Sequence, residues 1–279
     1  MVFTKKDCEM YMMKHKQIKS KNGIVHYWIS INTDDNAKCI VFTHGLTANH
    51  EMFEKQISYF SKNYIVITWD VPLHGLSRPY LDFSYENTAK ELNTILETEN
   101  IQKVILVGMS MGGYPSQEFA IQYPKKVIGF IAVDTTPFGL CYYSKADMWW
   151  LRKTESIAKC FPDNLLRKSM AKSVSKTQYS YNMMIKMLKH LSKMEIAEQM
   201  GIAYGTFIKE NKNVRFEFPV LILVGDSDKT GKVKKYCENW SKKEGYPLHI
   251  VKNAAHFSNA DNSEQVNSEI QNFIYGLCE

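Results

Sequence analysis

Long apolar segments are missing from this 279-residue chain. The longest apolar runs, such as residues 127–133 and 220–224, have the length of a strand and fall far short of the roughly 20 residues that cross a bilayer. The first residues alternate lysines with apolar side chains, and they contain neither an unbroken apolar stretch nor a small-residue cleavage site. From these absences we expect a protein of the cytoplasm without stable membrane insertion.

Cysteine pairs and phosphate-binding glycine loops are missing as well. The six cysteines are scattered without any C-x-x-C pair, which is typical of isolated thiols in a reducing compartment and not of a disulfide framework or a zinc site. No G-x-G-x-x-G or Walker loop occurs, and no two histidines have H-x-x-x-H spacing. We therefore expect neither a metal nor a cofactor.

Positive charge is concentrated in one segment. The formal net charge is +6, but residues 137–212 contain 13 Lys and Arg against 6 Asp and Glu, so the rest of the chain is almost neutral. No nucleic-acid recognition motif accompanies these cations, and we expect no nucleic-acid partner. A solvated helix face is the favoured interpretation, with attraction to an anionic substrate or membrane surface left open.

Segments rich in β-branched and aromatic residues alternate with helical patterns along most of the chain. This alternation predicts an α/β fold with a doubly wound, mostly parallel sheet. The predicted strands cover residues 24–31, 38–43, 64–69, 103–108, 127–133, 220–225 and 248–252. The predicted helices cover residues 51–62, 85–99, 111–123, 232–244 and 263–277, the second of them with Ser84 as its N-cap.

The alternation is broken once, from residue 137 to about residue 213. This segment has a helical pattern, is rich in lysine, and contains seven of the 14 methionines of the chain. We expect it to form a helical cap over the sheet. The predicted parts of the chain are then a first core segment at residues 1–136, a cap at residues 137–213 and a second core segment at residues 214–279.

A serine nucleophile is indicated at residues 108–112, Gly-Met-Ser-Met-Gly, directly after a predicted strand and at the start of a predicted helix. A strained turn at such a junction holds the serine Oγ out toward substrate, and flanking glycines leave room for the tight backbone. The five letters alone are a weak signal. Their position between strand and helix makes Ser110 the candidate nucleophile.

A serine hydroxyl needs a base to take its proton and a third group to orient that base. His256, which follows the last predicted strand, is the candidate base. Asp226 and Asp228 follow the strand at residues 220–225, and Asp134 ends an earlier strand. The order Ser, Asp, His is the one expected for nucleophiles on strand-to-helix turns, and it leaves the identity of the acid open.

On these motifs the chain resembles the α/β-hydrolase superfamily, in its branch of capped esterases, lipases and lyases, over roughly residues 24–136 and 214–277. In that family the acid commonly follows its strand in a G-x-x-D pattern, which corresponds to Gly225 and Asp228 here. The resemblance implies an α/β-hydrolase fold with a helical cap inserted after the sixth strand. The triad that it implies is Ser110, Asp228 and His256.

An oxyanion hole is implied by the same resemblance. The N–H of Met111, just after the nucleophile, is one candidate donor. Residues 41–46, Val-Phe-Thr-His-Gly-Leu, look like the family's strand-H-G-x loop, whose third residue, here Leu46, provides the second N–H. His44 is expected to shape this loop and to take no part in the chemistry.

A second loop, at residues 69–77, resembles the family's D-x-P-G-H-G-x-S sequence. Leu73 stands where the family has a glycine, so we expect a turn of different shape. Asp70 and His74 are expected to be structural members of this loop.

Aromatic and methionine side chains in the cap predict an apolar substrate pocket. The methionines at near-helical spacing pack the cap onto the sheet or line the pocket, and both interpretations stay open for different residues. The candidate substrate-binding residues are Phe138, Trp149, Trp150 and Phe257.

The sequence therefore predicts a serine hydrolase that cleaves a carboxylic ester or thioester of a small to medium acyl substrate through an acyl-enzyme. Two alternatives remain open: a C–C bond hydrolase or a lyase that uses the same triad, and a small-molecule sensor built on the same fold. Epoxide and haloalkane hydrolysis are disfavoured, because those relatives carry an aspartate in place of Ser110. The expected partner is a small acyl substrate, and a homodimer is left open.

Overall fold

Eight strands form one sheet in the computed structural model, which describes residues 13–31 and 37–277. The strands are β1 (Met13–Lys19), β2 (Ile24–Ser30), β3 (Cys39–Thr43), β4 (Ile65–Trp69), β5 (Val104–Met109), β6 (Val127–Val133), β7 (Val220–Gly225) and β8 (Leu248–Val251). They lie in the order β1-β2-β4-β3-β5-β6-β7-β8. The pairs β1–β2 and β2–β4 are antiparallel and all other pairs are parallel, so the mostly parallel sheet is confirmed.

The strand β1 is missing from the sequence-based prediction. It pairs with β2 over its whole length at the edge of the sheet, and Ile18 is its one fully buried residue. Of its three lysines and one histidine only Lys16 is partly buried, so no apolar alternation marks this segment as a strand. By contrast, every residue of β3, β5 and β7 is buried, as expected for central parallel strands with both faces covered.

Helices cover both faces of the sheet. The α-helices of the described residues are α1 (Glu54–Phe60), α2 (Tyr85–Thr98), α3 (Gly113–Gln122), α4 (Lys145–Cys160), α5 (Asp163–Val174), α6 (Gln178–Leu188), α7 (Lys193–Glu210), α8 (Val233–Glu244), α9 (Ser258–Asp261) and α10 (Ser263–Gly276). The helices α2, α3 and α8 contribute to the apolar core on one face, and α1 and α10 to the core on the other. The doubly wound α/β class is therefore confirmed.

Side-chain caps fix where several helices begin. Ser84 Oγ accepts a hydrogen bond from the N–H of Asn87, which confirms Ser84 as the N-cap of α2. In the segment between β6 and β7, α4 and α7 each begin with a reciprocal capping box, formed by Ser144 with Asp147 and by Ser192 with Glu195. These capping boxes define where helices begin in a segment that contains no strand.

Four helices, α4 to α7, lie between β6 and β7, and we call them the cap helices. They form two pairs, because α4 packs against α7 and α5 packs against α6. Their position matches the insertion predicted from the break in the strand–helix alternation. None of the helices within residues 13–31 and 37–277 combines the length and the apolar character needed to span a bilayer.

Candidate active site

Ser110 lies on a sharp turn between β5 and α3. Its φ angle of +52° is in the left-handed region, which is costly for a residue with a side chain. The turn passes so close to β3 that a Cβ atom on Gly112 would lie 2.1 Å from the carbonyl oxygen of Thr43. The glycine of the motif is therefore required by this close approach, and the strained turn holds the serine side chain at the carboxyl end of the central strand.

Three side chains form a continuous hydrogen-bonded line at this end of the sheet. His256 Nε2 lies 2.8 Å from Ser110 Oγ, and His256 Nδ1 lies 2.9 Å from Asp228 Oδ2. Because a carboxylate only accepts hydrogen bonds, Nδ1 carries the proton and Nε2 is left to accept from the serine hydroxyl. The arrangement is that of a nucleophile, a base and a group that orients the base.

The three candidate acids occupy different positions. Asp228 is buried against His256, and its second oxygen accepts the N–H of Thr230 at 2.8 Å. Asp226 is exposed and accepts N–H groups of the loop before His256, including that of Asn253 at 2.9 Å. Asp134 bonds neither ring nitrogen of the histidine. Among the three, the geometry favours Asp228 and assigns Asp226 to holding the loop.

Charges around His256 alter its protonation. Burial alone would lower the pKa of His256, but the hydrogen bond and charge of Asp228, together with the charge of Asp134, outweigh it and raise that pKa. Burial alone would raise the pKa of Asp228, and the hydrogen bond from His256 reverses this, so that pKa is lowered. The pair therefore favours a charged carboxylate, which stabilises the imidazolium that forms when the base takes a proton.

Asp134 is a second buried carboxylate beside this line. Burial raises its pKa to about 7. Its oxygens accept the N–H of Gly225 at 2.8 Å, the N–H of Ser258 at 3.2 Å and the Ser258 hydroxyl. Asp134, Asp228 and His256 place ligand-type atoms within 4.8 Å of one another. Since these hydrogen bonds already engage both ring nitrogens and both carboxylates, the cluster is a hydrogen-bonded network and does not fit a metal site.

Two cavities open on either side of Ser110 and His256. The larger one, of about 400 Å³, is lined mainly by aromatic residues and threonines, among them Tyr114, Phe207 and Thr136. The smaller one, of about 140 Å³, is lined by methionines: Met52, Met109, Met170, Met184 and Met200. A substrate whose reacting carbonyl lies at Ser110 therefore has room for two unequal arms.

The two residues expected to form the oxyanion hole flank the nucleophile. Met111 follows Ser110 on the turn and lines the larger cavity, while Leu46 follows β3 and lines the smaller cavity together with Ser110. Both are thus placed beside the position of a bound carbonyl group, and the role of their N–H groups remains a prediction.

Histidines near the β3 loop make structural contacts. His44 Nε2 accepts the N–H of Val71 at 3.0 Å, and burial lowers the pKa of His44 to about 4, so its ring is neutral. Asp70 accepts N–H groups from His50 and Leu76. These contacts connect the loops after β3 and β4 and agree with the structural roles expected for His44 and Asp70.

Leu73, which stands where the family's loop has a glycine, has a left-handed backbone conformation. Its φ angle is +73°, in the left-handed region, and its carbonyl accepts a hydrogen bond from Gln199 of α7 at 2.8 Å. The expectation that this turn differs in shape from the family's stays a prediction. A left-handed conformation is costly for a leucine, so the loop carries backbone strain where it contacts the cap helices.

The four candidate substrate-binding residues divide into two groups. Trp150 lines the larger cavity and Phe257 lines the smaller one. Phe138 is fully buried behind the larger cavity, with its ring stacked on that of Tyr114 at a centroid distance of 5.6 Å. Trp149 is 52% exposed and lines neither cavity. The geometry therefore does not support direct substrate contact by Phe138 or Trp149.

Two residues that line both cavities are missing from the sequence-based predictions. Thr230 lies in the loop that follows Asp228, and Tyr204 lies on α7. The spacing of Met200, Tyr204 and Phe207 puts all three on one face of that helix. This apolar spacing was visible in the sequence, but it does not reveal which end of the sheet the face covers.

Comparison with known proteins gives a family and several relatives. Residues 38–263 match the sequence model of the family described as alpha/beta hydrolase fold. The chain is 34% identical over 85 residues to 3-oxoadipate enol-lactonase 1 of Acinetobacter baylyi, which covers 30% of this chain and 32% of that protein. It is 27% identical over 125 residues to pimeloyl-[acyl-carrier protein] methyl ester esterase of Hamiltonella defensa, which covers 45% of each. The aligned segments thus span less than half the length of these relatives.

Solved structures share the fold over nearly the whole chain. A thermophilic esterase from Thermogutta terrifontis superposes with a TM-score of 0.75 at 17% identity, covering 95% of this chain and 99% of that one. The enol-lactonase from Burkholderia xenovorans superposes with a TM-score of 0.76 at 16% identity, covering 93% and 100%. At such identities the likeness concerns the fold and not the reaction.

Proposed function

The chain belongs to the α/β hydrolase family, and from this premise we propose that it is a serine hydrolase that cleaves a carboxylic ester or thioester. The observation that carries the proposal is the unbroken hydrogen-bonded line from Ser110 through His256 to Asp228, at 2.8 and 2.9 Å. It stands where two cavities meet, on a serine held in a strained turn. Relatives named as an enol-lactonase and a methyl ester esterase also act on ester bonds.

The first half of the reaction forms an acyl-enzyme. Ser110 Oγ attacks the carbonyl carbon while His256 Nε2 takes the hydroxyl proton, and Asp228 stabilises the resulting imidazolium. The oxyanion accepts hydrogen bonds from the N–H groups of Leu46 and Met111. When the tetrahedral intermediate collapses, the bond to the alcohol or thiol breaks, and the leaving group departs with the proton held by His256.

The second half releases the acid. A water molecule replaces the leaving group, gives a proton to His256 and attacks the acyl carbonyl. When the second tetrahedral intermediate collapses, the bond from the acyl carbon to Ser110 Oγ breaks, His256 returns the proton to that oxygen, and the carboxylic acid leaves. Because the pKa of His256 is raised, the neutral base needed for both attacks becomes more abundant as the pH rises through that pKa.

The cavity volumes support small to medium substrates. The smaller cavity, of about 140 Å³, has room for a short aliphatic arm, and the larger one, of about 400 Å³, has room for a longer or aromatic arm. Flexible methionines around the smaller cavity adapt to arms of different shape. We expect acetyl and butyryl esters to be better substrates than long-chain esters.

The test uses a series of p-nitrophenyl esters with acetyl, butyryl and octanoyl groups, together with a fluorophosphonate probe that labels activated serines. We expect turnover and labelling of the wild type. Ser110→Ala should lose labelling, and both Ser110→Ala and His256→Ala should lose at least about 10³-fold in kcat. Ser116→Ala is the matched control, because Ser116 lies buried on α3 with its hydroxyl bonded to the carbonyl of Gly112 and lines neither cavity.

Labelling that persists in Ser110→Ala would contradict the assignment of the nucleophile. Labelling of Ser110 without repeated turnover of any ester or thioester would contradict the proposed reaction. That outcome would favour the alternatives raised by the sequence, cleavage of a C–C bond or sensing of a small molecule.

A further inference from the structure

The boundary between the two cavities is formed by a few residues. Ser110, His256, Thr230 and Tyr204 line both cavities. The first three come from loops at the carboxyl end of the sheet and include the nucleophile and base of the proposed reaction. Tyr204 comes from the cap helix α7 and reaches the same place from the opposite side. Tyr204 therefore borders both of the spaces that meet at Ser110.

The sequence of α7 explains this placement. Met200, Tyr204 and Phe207 are spaced four and three residues apart, so they lie on one face of the helix. Met200 lines the smaller cavity and Phe207 the larger one. Tyr204 stands between them as the one polar side chain of this stripe.

The Tyr204 hydroxyl differs from its neighbours in its hydrogen bonding. Tyr114 Oη, on the larger cavity, is bonded to Thr136 Oγ1 at 2.8 Å, and Tyr143 Oη donates to the carbonyl of Pro137 at 2.6 Å. Tyr204 has no such bond to any residue within 13–31 and 37–277, and burial alone raises its pKa, so the hydroxyl keeps its proton at neutral pH. A proton donor without a protein partner thus belongs to a side chain that lines both cavities together with Ser110.

We propose that Tyr204 donates a hydrogen bond to the substrate, and that the enzyme therefore favours esters with a second acceptor oxygen close to the reacting carbonyl. This inference rests on the proposed ester hydrolysis. The two oxyanion-hole N–H groups already serve the carbonyl oxygen, so the tyrosine is available for another oxygen of the same molecule. A substrate without that oxygen would leave the hydroxyl without a partner when it displaces water, which lowers its affinity.

The test compares two esters of nearly equal size, p-nitrophenyl methoxyacetate and p-nitrophenyl butyrate, in which an ether oxygen replaces a methylene group. The kcat/KM of each is divided by its rate of hydrolysis by hydroxide, which removes the intrinsic difference in reactivity. We expect the wild type to favour the methoxyacetate and Tyr204→Phe to lose about threefold to tenfold of that preference, the size of one hydrogen bond.

Tyr114→Phe is the matched control, because it removes a phenolic hydroxyl from the same cavity that is already bonded within the protein. It should keep the preference and lower Tm, whereas Tyr204→Phe should keep Tm. An equal change for both esters in Tyr204→Phe, or no change, would overturn the inference and leave the proposed function intact. Absence of turnover of both esters by the wild type would remove the proposed function, and this inference with it.

Discussion

The two pairs of cap helices are attached to the rest of the molecule in different ways. The α5–α6 pair is joined to the loop of the candidate base through the backbone, since the N–H of Phe257 donates to the carbonyl of Val174 at 2.8 Å. The α4–α7 pair is attached through side chains, among them the ion pair of Lys232 with Asp147 at 2.7 Å. An exposed ion pair of this kind contributes little to stability. Buried contacts also join α7 to the core, because Tyr85 Oη donates to the carbonyl of Ala203 at 3.0 Å and the Phe207 ring packs against Tyr114.

One carboxylate connects the α5–α6 pair to the loop that carries His256. Asp261, at the end of α9, accepts the N–H of Ala255 at 2.9 Å, and Ala255 directly precedes His256. The same carboxylate accepts hydrogen bonds from three groups where α6 begins: the N–H of Lys176, the N–H of Thr177 and the hydroxyl of Ser180. The α5–α6 pair and the loop of the base are therefore held as one unit.

The α4–α7 pair contributes six residues to the wall of the larger cavity, and its buried residues lie mainly on α7. Ala158 is the one fully buried residue of α4, and Trp150 is 59% exposed although it lines the cavity. From this comparison we expect the α5–α6 pair to hold the loop of the candidate base in position and to line part of the smaller cavity, and the α4–α7 pair to select substrates through the larger cavity.

The largest effect is expected from Asp261→Ala. The change leaves several donors without an acceptor, and we expect a loss of about 3 kcal/mol in the free energy of unfolding, measured with urea. Because the loop of His256 loses its connection to the cap, kcat should fall by about 10²-fold even below the melting temperature. Fluorophosphonate labelling should slow by a similar factor.

Asp163→Ala provides the control for this experiment. Asp163 is also a carboxylate of the α5–α6 pair, but it is exposed and pairs with Arg167 on the same helix. It should change the free energy of unfolding by no more than about 0.5 kcal/mol and leave kcat unchanged. A normal kcat in Asp261→Ala would show that the α5–α6 pair does not fix the base and would break the comparison.

An intermediate effect on activity is expected from Asp134→Asn, because Asp134 follows β6 and its charge influences the pKa of His256. The charges that face His256 are those of Asp228 and Asp134, and both raise its pKa. Removing one charge should therefore lower that pKa and move the acidic limb of the pH profile of kcat/KM to lower pH. Ser258→Ala removes a hydroxyl donor to Asp134 without removing its charge, and should leave the pKa raised.

If Asp134→Asn only lowered Tm and left the acidic limb in place, Asp134 would hold the loop in position without influencing the pKa of His256.

The direction of the pKa shift of His256 can also be tested through the pH dependence of stability. Since the folded pKa of His256 is above its unfolded value, the stability contributed by this group is fully present below about pH 6.5 and is lost as the pH rises through the folded pKa.

The sequence predicted the parts of this site that depend on local backbone chemistry. The glycines around Ser110, the aspartates after β7 and the histidine after β8 follow strands that are recognisable by their apolar residues. Leu73 was recognised as a substitution, but its φ angle of +73° depends on loop contacts that the sequence does not show. Edge strand β1 lacks an apolar pattern, and the cavities depend on how the cap helices pack.

The neighbouring residues Trp149 and Trp150 show this limit most clearly. Both are exposed tryptophans of α4, and the sequence gives no reason to separate them. The structure places Trp150 on the larger cavity, while the ring of Trp149 lies 4.9 Å from that of Trp150, centroid to centroid, and near the ammonium of Lys153. A difference of one position on a helix, about 100°, decides which of the two tryptophans lines the cavity.

The smallest effects are therefore expected from these two tryptophans. Trp150→Ala should raise KM about threefold for esters with an aromatic arm that fills the larger cavity, and leave KM for acetate esters of small alcohols unchanged. Trp149→Ala is the matched control and should leave KM unchanged. It should alter the free energy of unfolding by no more than about 0.5 kcal/mol, as is usual for exposed positions. Equal effects of both changes on KM would mean that the α4–α7 pair moves as a whole when substrate binds. The two helix pairs would then differ in their mobility and not in the residues that line the cavities.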